Sequence, residues 1–542
     1  MIVEKFTYLI LVMYGSVLFC QPDSRFRPFD WVLYSGAGSI NSITEGYNHT
    51  YIATENGGLK RLNSFSYVFE DPITIAQGLK SNTATAVHFD KKTGFLWVAT
   101  PNHLQYSFSR EGSWFPIRIE SLGLSSFDRI RRIGSSIGYV WLELNSSYVK
   151  LNNTNGALIG VFSKPDEVSI KWSSGPYLKE KKIADIFLNY SFSGGWLLSG
   201  NDLIDNLGRR TRITTGFIGK HGNIYAGNED GVFFHATDVM QIFNSIVPDI
   251  DNIDVSAIAI YKDDMYIGSR DYINSKGLTR FNNWNNEKES FRFEETINMT
   301  PTPIFSISAT KDELWIGGDE ILLFHDKKKN FWRTIGAERG LSSGQVWDVI
   351  VDDTHVWAAS SRGLSRLSRS TKREDPVGFE YLFSEIPVYK LVEHNDNIWI
   401  GAWSGVYIFS KSSPQLRNSS EFGQKLFPDI ISRVTCMRQY EDDIYIACNI
   451  GIVKYDFNRS EWDLIINSVQ YQNKNIFSLE INRKNIYLGT DDGIMKINYK
   501  TGHLNEYSFP FIGRVNQMII IDNFLWAGTS NGLLKFKWKT GI

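Results

Sequence analysis

The chain has 542 residues, of which 42% are hydrophobic and 14% aromatic, and its 57 basic and 59 acidic side chains give a formal net charge of −2. This length and apolar content are enough for two or more domains with buried cores. The balanced charge excludes the basic footprint of a nucleic-acid-binding protein and a polybasic membrane patch. The 44 glycines, set between aromatic-rich segments, are typical of an all-β chain.

The N-terminal segment has the pattern of a secretory signal peptide. Lys5 precedes an uncharged apolar run from Phe6 to Cys20, and polar Gln21 follows. We predict a signal peptide over residues 1–20 and a periplasmic or extracellular location. A lipid anchor on Cys20 is disfavoured by bulky Phe19. An uncleaved membrane anchor is the other alternative, but the run is shorter than the ~20 residues that a spanning helix needs. No later segment is apolar enough to span a membrane.

One unit recurs along the chain: an apolar residue, an aromatic, an apolar and a small residue, a polar turn that often ends in Gly, and a second apolar strand. Examples are "LWIGGDEILLF" and "LWAGTSNGLLKF". The spacing of the repeated aromatics averages about 43 residues, the period of a four-stranded β-propeller blade. We therefore expect these aromatics to pack between blades. They are Tyr51, Trp97, Trp141, Trp196, Tyr225, Tyr266, Trp315, Trp357, Trp399, Tyr445, Tyr487 and Trp526.

The segment "GQVWDVIVDDTHVWAASSRGLSRLSRS" illustrates the expected strands of one blade. Period-2 alternation predicts strands at about 345–351, 355–359 and 364–368, with an outer strand near Tyr381 to Phe383. The predicted fold class is all-β, with tandem β-propellers of about twelve four-stranded blades.

The unit "GLSS…V…I…D…(L/I)WIGT…GL.R(L/F)" resembles the two-component-regulator propeller repeat. This resemblance implies a relation to the periplasmic sensor regions of hybrid two-component systems, or to secreted propellers such as the propeller subunit of the type IX secretion machinery. No membrane helix, kinase or DNA-binding region follows the repeats, so we do not expect this chain to signal alone.

The spacing of the units predicts two rings. We expect an N-terminal propeller over residues 21–238, with five blades, or six if residues 167–192 form a degenerate blade. A seven-bladed propeller would follow over residues 239–542. In this scheme 30–36 closes the first ring and 239–247 supplies the missing fourth strand of the last blade. Two six-bladed rings are the alternative, and a single larger ring is disfavoured.

Two cysteines lie beyond the signal segment. If Glu441 to Asp443 forms a hairpin tip, Cys436 lies opposite Cys448, within the reach of a disulfide. A disulfide is compatible with an exported protein, and two free, half-buried thiols are the alternative. Two cysteines alone cannot form a structural zinc site.

The stretch Gly340 to Gly344 matches G-x-S-x-G, the pattern of a serine-hydrolase nucleophile elbow. That motif needs a helix after the serine, whereas a β-rich segment follows Ser342. The related stretches "QGLKSNTATAV" and "LGLSSFDRI" also precede predicted inner strands. We therefore interpret Ser342 as part of a connector between blades.

No pattern points to a metal or cofactor site. The histidines are scattered, without metal-ligand spacing. The acidic pairs at residues 263–264, 352–353 and 442–443 fall at hairpin tips, where Asp favours turns. We expect no catalytic residue, no metal and no cofactor.

Three side chains in loops between second and third strands are candidate ligand contacts, because propellers usually bind around the mouth of the central channel. Arg270 and Arg362 could face an anionic ligand, or be solvated rim charges. Trp403 could stack on a sugar or anchor a protein, or fold onto a neighbouring blade.

These observations favour an exported, non-enzymatic β-propeller that senses a ligand, such as a glycan, or scaffolds a cell-envelope protein complex. The expected partners are a protein or a carbohydrate-type ligand, without nucleic acid and without a transmembrane helix after signal cleavage. The alternative is a propeller enzyme, a lyase or glycoside-acting enzyme, with its site at a channel mouth.

Overall fold

The computed structural model describes residues 26–175, 181–251, 253–271, 277–282, 287–422 and 430–538. The predicted signal peptide, residues 1–20, lies outside these ranges. The described residues form eleven sheets, here called blades 1 to 11 in chain order. The chain is an all-β tandem β-propeller, as predicted, in which blades 1–4 form a small ring and blades 5–11 form a large ring. The N-terminal ring has four blades rather than the expected five or six, because the segments around Trp196 and Tyr225 join one seven-stranded sheet.

The small ring is built from four sheets. Blade 1 contains the strands Ile40–Glu45, His49–Thr54, Leu59–Asn63 and Phe69–Ile73. Blade 2 contains Ala86–Phe89, Leu96–Ala99, His103–Ser107 and Phe115–Arg118. Blade 3 contains Arg132–Ser135, Tyr139–Glu143, Tyr148–Asn152, Leu158–Phe162 and Lys171–Trp172. Blade 4 contains Ser191–Phe192, Leu197–Ser199, Asp202–Ile204, Arg210–Ile218, Asn223–Asn228, Phe233–Thr237 and Ile242–Ile246.

The segment between blades 3 and 4 is not a four-stranded blade, so the prediction of a degenerate blade over residues 167–192 was wrong. Lys171–Trp172 instead pairs with the inner strand of blade 3. Helix α1, Lys181–Asn189, packs against the inner strand of blade 4, where Gly216 leaves room for Ile183 and Phe187. The alternation that marks a strand is absent from α1, whose apolar residues recur at helical spacing.

The large ring is built from seven sheets, each listed here from its inner to its outer strand. Blade 5 contains Val255–Tyr261, Asp264–Ser269, Gly277–Asn282 and Lys288–Arg292 and is followed by helix α2, Phe293–Ile297. Blades 6 and 7 contain Ser306–Ala309, Glu313–Gly317, Leu322–Asp326 and Phe331–Ile335, then Val346–Val351, His355–Ser360 and Gly363–Ser368. Blades 8 and 9 contain Val388–His394, Asn397–Ala402, Gly405–Ser410 and Gln415–Asn418, then Cys436–Tyr440, Asp443–Cys448, Gly451–Asp456 and Glu461–Asn467. Blades 10 and 11 contain Ser478–Asn482, Asn485–Gly489, Ile494–Asn498 and Leu504–Tyr507, then Val515–Ile521, Phe524–Thr529 and Gly532–Lys537.

The strand that completes blade 11 comes from the N-terminal part of the chain. Trp31–Tyr34 pairs antiparallel with Gly532–Lys537, with Trp31 opposite Phe536. Ile242–Ile246 pairs instead with Phe233–Thr237 in blade 4. Both strand assignments made from the sequence were therefore wrong, and the predicted boundary at 238/239 cuts through blade 4. The large ring closes where the Gln517 side chain of blade 11 bonds the backbone N and O of Ile258 in blade 5, at 2.8 and 2.9 Å.

The three strands expected for blade 7 are present within one residue of their predicted bounds. Its outer position is different, because Glu380–Phe383 forms a 3-10 helix rather than a strand. The repeated aromatics pack between blades: Trp315 of blade 6 lies in one cluster with Val346 and Val356 of blade 7. Among the twelve, only Trp196 is not buried.

The repeated Gly-Leu in the connectors has a structural explanation. Gly78, Gly123 and Gly340 each end a short 3-10 helix in the left-handed conformation, with φ of 98°, 74° and 89°, which Gly adopts without a steric penalty. The following leucine is buried in each case. Ser342 ties this connector to the third strand of blade 7, because its backbone N and its Oγ lie 2.7 and 2.6 Å from Oγ of Ser365, as expected for a blade connection rather than a nucleophile elbow.

The two cysteines are free, buried thiols, so the disulfide reading is contradicted. The hairpin tip has two residues rather than three, because Tyr440 pairs with Asp443 and Glu441 has a positive φ of 53°. Cys436 therefore lies opposite Ala447 rather than Cys448. A one-residue change of register moves a side chain to the other face of a sheet, and the two thiols belong to different core clusters.

Candidate functional site

A buried Val or Ile stands at the start of each inner strand of the large ring. In blades 6, 7, 9 and 11 this residue donates its backbone N–H to the preceding blade, as Val346 does to Gly318 (2.9 Å) and Val515 to Thr490 (2.9 Å). The next residue is the extra residue of a β-bulge in blades 5, 7, 8 and 11. A bulge re-aims a side chain away from the regular alternation. We call the residue that follows the buried Val or Ile the bulge position in all seven blades.

The bulge positions of the large ring line one cavity of about 680 Å³, here called the aromatic cavity. It lies at the end of the channel where the inner strands begin. In blade order its bulge positions are occupied by Ser256, Phe305, Trp347, Tyr389, Thr435, Phe477 and Asn516. Blades 6, 7 and 8 thus place three aromatic side chains side by side.

The aromatic wall is ordered by ring stacking. The rings of Trp347 and Tyr389 stack with centroids 4.9 Å apart and an interplanar angle of 13°. The indole N–H of Trp347 donates to Oε1 of Gln345 at 3.2 Å, which holds the ring at the wall of the channel. Phe477 contributes a further ring, 37% exposed, on blade 10. The two rings are stacked nearly parallel, so they form one rigid apolar unit in the wall of the cavity.

The opposite wall, on blades 5 and 11, is polar. Asn516 donates to Asp254 at 2.9 Å and to the carbonyl of Val255 at 2.7 Å. Its carbonyl oxygen accepts from Arg270 at 2.7 Å and from Arg514 at 3.1 Å. These bonds fix the amide and both guanidinium groups in place.

The cations around the aromatic cavity are paired with carboxylates. Arg270 bonds Asp254 at 2.9 Å, Lys390 bonds Asp348 at 3.0 Å, and Arg438 lies 3.0 Å from Glu480. Asp348 also accepts the backbone N–H of Leu391 at 2.8 Å.

Glu480 is the most perturbed acid beside the aromatic cavity. Burial raises the pKa of the Glu480 carboxyl to about 7, and the neighbouring Arg438 partly offsets this effect. The carboxyl group joins two blades, because it also accepts a backbone hydrogen bond from Ile520. Among the described residues, no Asp, Glu or His lines the cavity itself.

The structure separates the three predicted ligand contacts. Arg270 lines the aromatic cavity. Arg362 does not; it is 59% exposed and lies 3.8 Å from Glu385. Trp403 is 48% exposed, outside the cavity lining, and the guanidinium of Arg433 lies 5.0 Å from its ring centroid. Arg362 and Trp403 therefore belong to the rim.

The bulge-position aromatics were not predicted from the sequence. A signal was present, because the second residue of each inner strand follows a buried Val or Ile and breaks the period-2 alternation, as Trp347 does in "QVWDVIV". Trp357 already fills the packing role in the same blade. A second aromatic in that strand was therefore not required for packing.

The small ring provides an internal comparison for the bulge position. Asn41 and Thr214 are the extra residues of bulges in blades 1 and 4, and Thr85 and Arg131 precede the paired residues of blades 2 and 3. Asn41 donates to the carbonyl of Ala84 at 2.9 Å. The fold thus accepts short polar residues at this position, and the aromatics of the large ring are not required by the architecture.

Neither helix in the described part of the chain is long and apolar enough to cross a bilayer.

Comparisons with known proteins give structural neighbours only. No family model matches the chain, and no curated protein matches it. The structure is similar to the extracellular domain named for the hybrid two-component system BT4673 from B. thetaiotaomicron, with 14% identity, 91% of this chain and 69% of that chain covered, and a TM-score of 0.43. A second such domain, BT3049 from the same organism, has 14% identity, coverage of 92% and 75%, and a TM-score of 0.42. Both names are of the class that the repeat resembles, but likeness at this level does not assign a function.

Proposed function

We propose that this chain is an exported, non-enzymatic sensing module that binds a carbohydrate in the aromatic cavity of the large ring. The observation that carries the proposal is the set of bulge positions. Four of the seven in the large ring are aromatic and line one cavity, whereas the equivalent positions of the small ring are Asn41, Thr85, Arg131 and Thr214. Because the fold does not need aromatic side chains at these positions, we explain their presence by a ligand that contacts them.

The two walls of the aromatic cavity suit a sugar. The C–H faces of a pyranose ring pack on aromatic rings, and the stacked pair of Trp347 and Tyr389 offers such a surface. Hydroxyl groups at the ring edge need fixed polar partners, and Asp254 and Asn516 orient the guanidinium of Arg270 for that role on the opposite wall. Ligand sites commonly combine apolar walls with a few convergent polar groups.

The charge pattern favours an uncharged ligand. Arg270, Lys390 and Arg438 already contact carboxylates at about 3 Å. An anionic ligand would have to compete with these carboxylates for each cation. Hydroxyl groups can instead accept from the guanidinium N–H groups that remain, without breaking an ion pair.

The aromatic cavity is poorly suited to glycoside cleavage. Hydrolysis of a glycosidic bond normally uses two carboxyl groups that flank the bond, and no carboxylate or His lines the cavity among the described residues. The carboxyl groups of Asp254, Asp348 and Glu480 lie behind the lining and are engaged in ion pairs. These observations favour binding over the enzyme alternative.

The test is glycan binding by the purified protein and its variants. An array of neutral and charged glycans identifies a ligand, and titration calorimetry then gives its Kd for the wild type, Trp347→Ala and Tyr389→Ala. We expect each variant to lose affinity by about tenfold or more, because a buried aromatic contact at a binding centre is typically worth about 2 kcal/mol. Tyr381→Ala is the matched control, since Tyr381 is 72% exposed on the outside of blade 7.

Two results would overturn the carbohydrate proposal. One is a bound glycan whose affinity is unchanged in Trp347→Ala and Tyr389→Ala. The other is the absence of any glycan binding on the array. The second result would instead favour a scaffold role, with a protein partner anchored on the rim at Trp403.

A further inference from the structure

The small ring contains a second cavity, of about 590 Å³, at the opposite end of its channel, where the inner strands end. It is lined by the last residues of the inner strands and by Lys171 and Trp172 from the short strand beside blade 3. Lys91 and Lys92, in the turn after the inner strand of blade 2, complete the wall. We call it the lysine cavity.

Two carboxylates, Glu45 and Asp90, also line the lysine cavity. Neither one bonds the ammonium group of Lys91, Lys92 or Lys171. Buried Glu45 accepts the backbone N–H of Lys220 at 3.2 and 3.1 Å. Buried Asp90 accepts from the backbone N–H of Lys92 at 3.1 Å, from the hydroxyl of Thr93 at 2.8 Å and from the amide of Asn153 at 3.1 Å. Both acids therefore act as structural acceptors at strand ends.

The three lysines of the wall are left with excess positive charge. Within the described residues, the ammonium groups of Lys91, Lys92 and Lys171 form no ion pair, whereas Lys220 lies 3.8 Å from Glu45. Burial lowers the pKa of Lys91, and repulsion by Lys220 and Lys171 lowers it further, while Glu45 acts in the opposite direction. Like charges gathered around a cavity raise the local concentration of anions.

The rest of the wall combines aromatic and aliphatic side chains with hydroxyl groups. Trp172 is held by the guanidinium of Arg132, whose central carbon lies 4.7 Å from the ring centroid. Phe89 and Phe217 line other parts of the cavity. A ligand that suits this site has an anionic group for the lysines and a ring or other apolar body for the aromatic wall.

We infer that the lysine cavity binds a small molecule that carries an oxyanion, namely a phosphate, sulfate or carboxylate group on a sugar-sized body. This site lies in the other ring from the aromatic cavity, and it contrasts with that cavity because its lysines lack carboxylate partners. The inference goes beyond the proposed carbohydrate function and does not depend on it.

The test uses glucose 6-phosphate, glucose 6-sulfate, glucuronate and neutral glucose as probes, titrated calorimetrically into the full chain at low and high salt. We expect at least one anionic probe to bind at least tenfold more tightly than glucose, and its affinity to fall as salt screens the lysines. The three anionic probes also distinguish which oxyanion the site prefers.

Two double variants, each of which removes two positive charges, serve as the test and its matched control. Lys91→Gln/Lys171→Gln is expected to lose about tenfold or more in affinity, because it removes two charge-assisted hydrogen bonds to the oxyanion. Lys328→Gln/Lys329→Gln changes two exposed lysines of the large ring and is expected to bind like the wild type. Trp347→Ala is also expected to bind the anion normally.

The inference is overturned if no anionic probe binds more tightly than glucose. It is also overturned if Lys91→Gln/Lys171→Gln keeps full affinity, or if the control pair loses as much as the test pair. Because all four lysines are at the surface, both double variants should fold, which thermal unfolding followed by circular dichroism will verify.

Discussion

The ion pair between Lys60 and Asp249 joins blade 1 to the segment that crosses from the small ring to the large ring. Each side chain is only 1% exposed. Lys60 lies in the third strand of blade 1, and Asp249 lies in the segment that leads from blade 4 to blade 5. The Lys60 ammonium also donates to the carbonyl of Ser35 at 3.1 Å, just after the strand that completes blade 11.

Replacement of Lys60 by Met would leave the Asp249 carboxylate buried without this partner. Removing one member of a buried ion pair typically costs about 3–5 kcal/mol. The ammonium of Lys288 is near enough to interact with Asp249 and to donate to the carbonyl of Pro248 at 3.3 Å. Because this second cation offsets part of the lost attraction, we expect a loss near the lower end, about 3 kcal/mol.

The double variant Lys60→Met/Asp249→Asn separates the pair's own contribution from the cost of an unpaired charge. The Asn side chain can still accept the backbone N–H of Ile250, which Asp249 accepts at 2.8 Å. The Asp249 charge is then gone and Lys288 keeps Asp71 as a nearby carboxylate. The free energy of unfolding of the double variant should therefore lie within about 1–2 kcal/mol of the wild-type value.

Urea unfolding followed by tryptophan fluorescence and circular dichroism measures these differences, with separate transitions fitted if the rings do not unfold together. Lys328→Met is the control, because Lys328 pairs with Asp312 at 2.8 Å but is 68% exposed, and an exposed ion pair contributes little to stability. The reasoning fails if Lys60→Met costs less than 1 kcal/mol, or if the double variant is as unstable as the single one.

Three further predictions concern the large ring. Burial raises the pKa of Glu480 to about 7 in the folded protein, so its protonated form contributes stability that is fully present below about pH 4.5 and is lost as the pH rises to about 7. Glu480→Gln should abolish this loss of about 3 kcal/mol between pH 4.5 and pH 8. Urea titrations at the two pH values measure it, and an unchanged difference between them would contradict the prediction. Burial raises the pKa of Cys436 to about 12, so Cys436 and Cys448 should react with a thiol reagent only after unfolding, and a disulfide in mass spectra of the native protein would refute the assigned register. Gly340→Ala should lower the free energy of unfolding by about 1–3 kcal/mol, because φ is 89° and the new Cβ would lie 2.3 Å from a side-chain atom of Glu374; an unchanged urea midpoint would contradict that geometry.

The sequence predicted local features of the blades better than their closure. Strand alternation, the packing aromatics and the Gly-Leu connectors depend on residues close together in the chain, and all three are present in the structure. Ring closure depends on pairing between distant segments. Residues 31–34 and 242–246 are both short and rich in apolar side chains, so neither period nor composition decides which sheet each one joins.

The cysteine register illustrates how one backbone angle changes a prediction. A three-residue tip and a two-residue tip are both compatible with "YEDDI". The positive φ of Glu441 selects the shorter turn, and the register then moves by one residue along the whole strand. No residue type at the tip, such as Gly or Asn, marked this turn in advance.

The candidate site could not be predicted from the sequence, because one repeat contains two kinds of aromatic residue that only the structure distinguishes: those buried between blades and those at bulge positions. Trp357 is buried against the next blade, as the repeat predicts. Trp347, ten residues earlier, occupies a bulge, where the alternation that assigns side chains to faces no longer applies. Because a residue at that position does not pack between blades, blade packing does not constrain its type, and a ligand can. Polar side chains at the same position in the small ring show that the fold does not require an aromatic there, and this contrast is our reason for assigning the aromatic side chains of the large ring to the proposed ligand.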